Sequence, residues 1–173
     1  MRRVAAAAAL GAAILAGCAS FDGRGLVPGR STEAEVRALM GTPAQSLALP
    51  NGDRALYFSR LPEGRAMFVV TLAPDGVMKS KEQRLVRENL ARIAAGTSGM
   101  KEVRELFGPP GRTGRLARQE RDWWEYKYLD YGERRVIWVQ FSDDGIVREV
   151  LDMLDPEWIR GRAISGFSFG IVF

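Results

Sequence analysis

Gly29-Arg-Ser31-Thr-Glu-Ala-Glu35-Val36-Arg37-Ala-Leu39-Met40-Gly41-Thr-Pro43 returns further along the chain as Gly96-Thr-Ser98-Gly-Met-Lys-Glu102-Val103-Arg104-Glu-Leu106-Phe107-Gly108-Pro-Pro110. Gly, Ser, Glu, Val, Arg, Leu, Gly and Pro coincide at eight of 15 ungapped positions, so the chain is built on an internal repeat. In each copy the serine can accept a backbone N–H as helix N-cap. Val36, Leu39 and Met40, like Val103, Leu106 and Phe107, follow i, i+3, i+4 spacing and make one apolar stripe. Gly41 and Gly108 fall where a helix ends in positive φ, and the prolines beyond them forbid continuation. The pattern predicts one short capped helix of about ten residues per copy.

Working outward, strands follow each helix. Arg54–Ser59, Ala66–Leu72 and Val77–Ser80 form a first set, and Asp122–Leu129, Arg134–Phe141 and Ile146–Leu151 a second. Asp75-Gly76 and Asp144-Gly145 are tight-turn signals between the last two strands of each set. Between the sets, Ser80–Ala95 reads as a helix. Leu85, Val86, Asn89, Leu90 and Ile93 make one mostly apolar face, and Lys81, Arg84, Arg87, Glu88 and Arg92 take the other. The expected fold is α+β: two tandem ααβββ units, each a three-stranded antiparallel sheet packed on helices. The first unit has a shortened leading helix, because the flexible Asp22-Gly-Arg-Gly25 and then only Leu26-Val27-Pro28 precede its capped helix. The expected boundaries are 26–80 for the first repeat, 81–152 for the second and 153–173 for an apolar tail.

Composition limits the chemistry. The 173 residues include 25 Lys+Arg, 21 Asp+Glu, one Cys and no His. Without imidazole there is no Ser-His-Asp or Cys-His pair and no His metal site. One Cys closes no intramolecular disulfide and builds no zinc knuckle. No Walker or Gly-x-Gly-x-x-Gly loop is present. Asp143-Asp144 is better explained by its hairpin turn than as a catalytic carboxylate pair. The sequence therefore predicts no enzyme, no metal and no cofactor.

The N-terminus reads as an address. Arg2 and Arg3 precede an uncharged, Ala-rich run from Val4 to Ala16, too short for a membrane span, which needs about 20 apolar residues. The run ends in Leu15-Ala16-Gly17-Cys18, which resembles the lipobox of bacterial lipoproteins. That resemblance implies a signal peptide over 1–17, cleavage after Gly17, acylation of the Cys18 thiol and amine, and a tether over 18–25. Ala19 rather than Asp next to the cysteine implies sorting to the outer membrane, with the protein on its periplasmic face. Several acyl chains make such anchoring effectively permanent. Removing 1–17 takes Arg2 and Arg3 with it and narrows the balance from 25 basic against 21 acidic side chains to 23 against 21. The basic balance then no longer argues for an anionic partner, and nucleic acid is excluded by compartment.

Ala91-Arg-Ile93-Ala-Ala-Gly96-Thr-Ser98, Val103, Leu106, Gly108-Pro-Pro110, Trp124-Glu-Tyr126, Val139-Gln-Phe141 and Asp144-Gly145 together resemble the SmpA/OmlA (BamE-like) outer-membrane lipoprotein domain. The first repeat matches less completely, with Leu56-Tyr57 at the aromatic positions. Two such units in tandem also resemble the β-lactamase inhibitor protein fold. The resemblance implies an accessory subunit of the outer-membrane β-barrel assembly machine. The two-unit form departs from the single-domain family pattern. The expected function is thus a non-enzymatic accessory or scaffold factor in envelope biogenesis. The alternative is an inhibitor-type module that binds a periplasmic or secreted enzyme.

Candidate contact residues come from pattern. The strands are apolar on both parities, with Val136 and Trp138 opposing Ile137, Val139 and Phe141. A sheet with helices on one face should alternate more cleanly. Either a partner binds the second face, through Trp138, or the two sheets and the tail cover one another. Arg112, Arg115, Arg118 and Arg121 recur every third residue in a stretch read as a loop, with Glu120 the one acid among them. They are a solvated loop or a contact for anionic lipid headgroups. Phe167, Phe169, Ile171 and Phe173 alternate like an edge strand, or like the C-terminal signal strand of a barrel protein.

Overall fold

The computed structural model describes residues 21–165, with the side chains of 162–165 excluded. The leader 1–17, Cys18 and the alternating stretch 167–173 lie outside the described residues. α1 (Glu33–Met40) and α3 (Met100–Phe107) are the two capped helices of the repeat, eight residues each. Their caps differ from the sequence expectation. Thr32 caps α1: its hydroxyl accepts from Glu35 N–H, and the Glu35 carboxylate accepts from Thr32 N–H at 2.7 Å. Gly99 caps α3, where the Glu102 carboxylate accepts from Gly99 N–H at 2.9 Å. Ser31 and Ser98 instead accept from Val27 N–H and Ala94 N–H, both at 3.0 Å. The reason is backbone pairing. Ser31 C=O accepts from Met78 N–H, and Ser98 C=O from Val147 N–H, which holds each serine extended and passes the cap to the next residue.

Each sheet has four antiparallel strands, not three. β1 (Gln45–Ala48), β2 (Arg54–Ser59), β3 (Met67–Leu72) and β4 (Met78–Gln83) pair in sequence order. So do β5 (Arg112–Leu116), β6 (Arg121–Asp130), β7 (Glu133–Phe141) and β8 (Val147–Leu154). The extra first strands start at Gln45 and Arg112, the same offset that carries Gly29 onto Gly96. Even so, Gln-Ser-Leu-Ala and Arg-Thr-Gly-Arg-Leu carry little strand propensity.

The helix expected over 80–95 is mostly something else. β4 runs on to Gln83 because Lys81, Glu82 and Gln83 pair with Val70, Val69 and Phe68. Gln83 Oε1 accepts from Met67 N–H and Leu85 N–H, and only Arg87–Leu90 closes a helical turn, α2. Ladder hydrogen bonds and burial of Leu85 outweigh local helix propensity. The tail is corrected as well: β8 reaches Leu154, and Pro156–Ser165 forms a helix, α4. Asp22 and Gly23 are docked rather than loose, since both carbonyls accept from Lys81 Nζ.

The layers run α1, first sheet, α3, second sheet, α4. One cluster joins Val36 and Met40 of α1 to Leu56, Phe58, Val70 and Leu72 of the first sheet, with Phe21 and Leu26 packed against it. The other cluster places Val103, Leu106 and Phe107 of α3 between Ala55, Tyr57, Met67 and Val69 of the first sheet and Tyr126, Tyr128, Ile137, Val139 and Phe141 of the second. Tyr57 Oη donates to Glu105 C=O from one side and Tyr126 Oη to Gly108 C=O from the other. Burial pushes both phenols up, so each stays a protonated donor. The first sheet is thus apolar on both faces because α1 covers one and α3 the other.

Candidate functional site

Alternation along β6 sends Trp124, Tyr126 and Tyr128 to the α3 side and Trp123, Glu125 and Lys127 to the outer side of the second sheet. On β7 the outer residues are Val136, Trp138 and Gln140. The Trp123 and Trp138 rings stack at 5.3 Å with a 22° interplanar angle, and both are half-buried. Trp138 Nε1 donates to Glu125 Oε2 at 2.9 Å. Trp123 lies across Gly114 of the neighbouring strand, where an added Cβ would come within 2.5 Å of the indole. The indoles are fixed between a glycine and a buried carboxylate, giving a flat aromatic platform.

A charged cluster borders it. Arg112 Nη1 pairs with Glu157 Oε1 at 2.6 Å, and Lys127 Nζ pairs with the other oxygen of the same carboxylate. These two cations hold the Glu157 carboxyl well below its usual range, at about 2. Asp155, fully buried, pairs with Arg65 from the loop between β2 and β3 and accepts from Glu157 N–H at 3.0 Å, starting α4. Burial works against the Asp155 charge, and the Arg65 hydrogen bond, the Glu157 amide and the Lys127 charge outweigh it, so its pKa is lowered. Between this cluster and the platform lies a cavity of about 260 Å³ that Trp123, Trp138, Val136 and Arg160 also line.

Of the sequence candidates, Trp138 and Arg112 share this face. Arg115 points elsewhere, pairing with Asp122 at 3.0 Å and Asp143 at 2.8 Å. Arg118 is exposed on a 3₁₀ turn (Ala117–Gln119) and makes no ion pair among the described residues. Arg121 opens β6 and reaches Glu149 at 3.3 Å. The arginine row is therefore strand, turn and strand rather than a loop, and three of its four cations face carboxylates that are distant in sequence. Asp144 does turn work: it accepts from Ser142 Oγ and, at 3.1 Å, from Ile146 N–H. Trp123, Lys127, Asp155 and Glu157 were missed. The period-2 alternation Trp123, Glu125, Lys127 was the available signal for the first two.

The repeat gives this face a counterpart. Carrying the strand pairing across, Trp123, Glu125, Val136 and Trp138 stand where the first sheet has Ala55, Tyr57, Met67 and Val69. Those are the residues onto which α3 packs. The first turn of α4 likewise stands where α2 stands, at the offset that carries Asp75 onto Asp144. Leu90 of α2 packs against the core, whereas its counterpart Ile159 is 46% exposed. The second sheet thus presents the face that the first sheet covers with a following unit.

Among the described residues, no group of three or more Cys, Asp or Glu is arranged to hold a metal ion, and no helix is long and apolar enough to cross a membrane. No family model matches the chain. No curated protein matches it either. A solved structure, that of a DUF4309 family protein (YjgB) from Bacillus subtilis subsp. subtilis str. 168, is 16% identical, covering 76% of this chain and 84% of that one, with a TM-score of 0.31. A score that low assigns neither fold family nor function.

Proposed function

We propose that this chain is an outer-membrane lipoprotein, acylated at Cys18 and facing the periplasm. In this reading it acts without catalysis, as a protein-binding scaffold or accessory factor in envelope biogenesis of the BamE-like kind. The observation that carries the binding role is the outer face of the second sheet, where Trp123 and Trp138 stack and which no further unit covers among the described residues. Half-exposed tryptophans beside arginine are the side chains that dominate protein interfaces. The anchor rests on Leu15-Ala16-Gly17-Cys18. Phe21, three positions on, packs edge-to-face on Phe68 at 5.7 Å and lies under the Arg60 guanidinium. Three residues span at most about 11 Å, so an acylated Cys18 would hold the α1 end near the bilayer and present the platform at the far end of the layers. In that orientation Arg118, in the turn between β5 and β6 of the second sheet, lies with the platform rather than at the bilayer.

The tandem of two like units also supports the inhibitor-type reading, in which the platform clasps an enzyme. One experiment separates the two: a photo-crosslinking residue at Leu151, which is half-buried beside Trp138, used in intact envelopes. Barrel-assembly subunits are the expected partners in the first reading, and a single periplasmic or secreted enzyme in the second. Cys18→Ser should release the protein from the membrane fraction. If that variant stays membrane-bound, the lipoprotein reading fails.

A further inference from the structure

We propose that Arg112 and Lys127 form a carboxylate-binding subsite, filled by Glu157 of α4 in the free protein and by an acidic segment of a protein partner once α4 lifts. The inference rests on the reading of the platform as a partner surface and adds the chemistry of that partner. Its first support is the repeat. Arg112 stands where the first sheet has Gln45, Lys127 where it has Ser59, and Glu157 where α2 has Glu88. Glu88 is exposed and makes no ion pair among the described residues. The fold of the unit therefore does not require this triad, which occurs only on the face that no further unit covers among the described residues.

The second support is how α4 is held. In the first turn Pro156, Glu157, Ile159 and Arg160 are exposed, and Trp158 is the one half-buried side chain. The Glu157 contacts are a half-exposed carboxylate on a half-exposed arginine and on a lysine that is only 8% exposed. The Arg112–Glu157 pair, half-exposed on both sides, adds little stability and is screened by salt, so Lys127 is the firmer of the two contacts. Lys127, in contrast, is buried and keeps a counter-charge when Glu157 leaves, since Asp155 lies 3.9 Å away. Asp155 stays fixed by Arg65 and acts as the hinge. An incoming carboxylate would exchange one anion for another at the same two donors. Neighbouring apolar side chains of the partner would meet Trp138, and lifting α4 would open the cavity beneath it.

The test uses the purified full chain, amide hydrogen exchange over 157–160, and hexaglutamate as probe, with hexalysine as control at equal ionic strength. Hexaglutamate, and not hexalysine, is expected to speed exchange across these amides at least threefold. In Glu157→Gln the half-maximal hexaglutamate concentration should fall at least threefold, because the cis competitor is weakened. Adding Arg112→Ala to that variant should remove the response. Unchanged protection of β6 and β7 shows that the fold is kept, and Arg112→Gln replaces Arg112→Ala if it is not. Exchange insensitive to hexaglutamate in both proteins, an equal response to hexalysine, or a response that survives loss of Arg112 overturns the proposal. The assay needs neither membrane nor native partner. A positive result alongside failed envelope crosslinks would count against the proposed function alone, and the reverse against the subsite alone.

Discussion

Replacing Gly108 with alanine should destabilise the protein markedly more than the same change at Gly41, although the two occupy one repeat position. Both end their helix with positive φ and extended ψ: φ 87 and ψ −152 at Gly41, φ 75 and ψ −165 at Gly108. Only glycine adopts that region readily, and forcing another residue there costs about 1–3 kcal/mol. This term is common to both sites. The surroundings differ. Around Gly41 an added Cβ would meet nothing within 4 Å, while at Gly108 it would come within 2.8 Å of Tyr57 Cδ1 and 3.0 Å of Met67 Cε. Met67 can swing its end away. Tyr57 cannot, because it is buried and its hydroxyl is committed to Glu105 C=O. Overpacking of this kind adds about 1–3 kcal/mol. Gly41→Ala should therefore lose about 1–3 kcal/mol and Gly108→Ala about 2–6 kcal/mol by urea denaturation followed through tryptophan fluorescence. Equal losses at the two glycines would refute the claim that the first sheet and α3 meet at this glycine.

Three further outcomes follow from the same contacts. Tyr126→Phe leaves the Gly108 carbonyl without its buried donor at 3.1 Å and should cost about 1–3 kcal/mol in urea. Asp155→Ala removes the start of α4 and the counter-charge of a mostly buried Arg65, so a loss of about 3–5 kcal/mol is expected; a loss under about 1 kcal/mol would show that Arg65 finds water instead. The third concerns acid. The pKa of Glu157 is depressed to about 2 in the folded chain from 4.5, so its stabilisation is complete above about pH 4.5 and lost as pH falls toward 2. Stability curves of the parent chain and Glu157→Gln should converge across that window and run parallel above it, and parallel curves throughout would contradict the pairing.

The repeat made the scaffold legible because it repeats local physics. Gly41 and Gly108, the i, i+3, i+4 stripes and the Asp-Gly turns act over a few positions, and β2 falls on Arg54–Ser59 as read. What escaped depends on distant partners. Arg112–Leu116 becomes a strand only because β6 offers it a ladder, with Gly114 lying under Trp123. Residues 80–95 have a helical pattern, yet Lys81–Gln83 gain more from pairing with β3. The site was half legible for the same reason. Trp138 announced itself as a large apolar residue on the wrong parity. Asp155 before Pro156 is a local helix-start signal, but its pairing with Arg65, like the role of Glu157, exists only after the loop between β2 and β3 meets the start of α4.

The two units share one frame, and one face shows how they differ. On the first sheet that face carries Ala55, Tyr57, Met67 and Val69, small or apolar residues that admit α3 of the next unit. A second sheet that no further unit covers among the described residues has two choices for the same face. It could replace the apolar residues with polar ones, as capping repeats do, or keep them for something else to cover. This sheet does neither in full. It turns Tyr57 and Ser59 into Glu125 and Lys127, which solvates the edge, and it enlarges Ala55 and Val69 to Trp123 and Trp138, which raises the apolar area. A cap selected only for solubility would not gain two indoles. Enlarging the aromatic surface while ringing it with charge is the composition of an interface with a polar rim, and Ile159, exposed where Leu90 is packed, extends it.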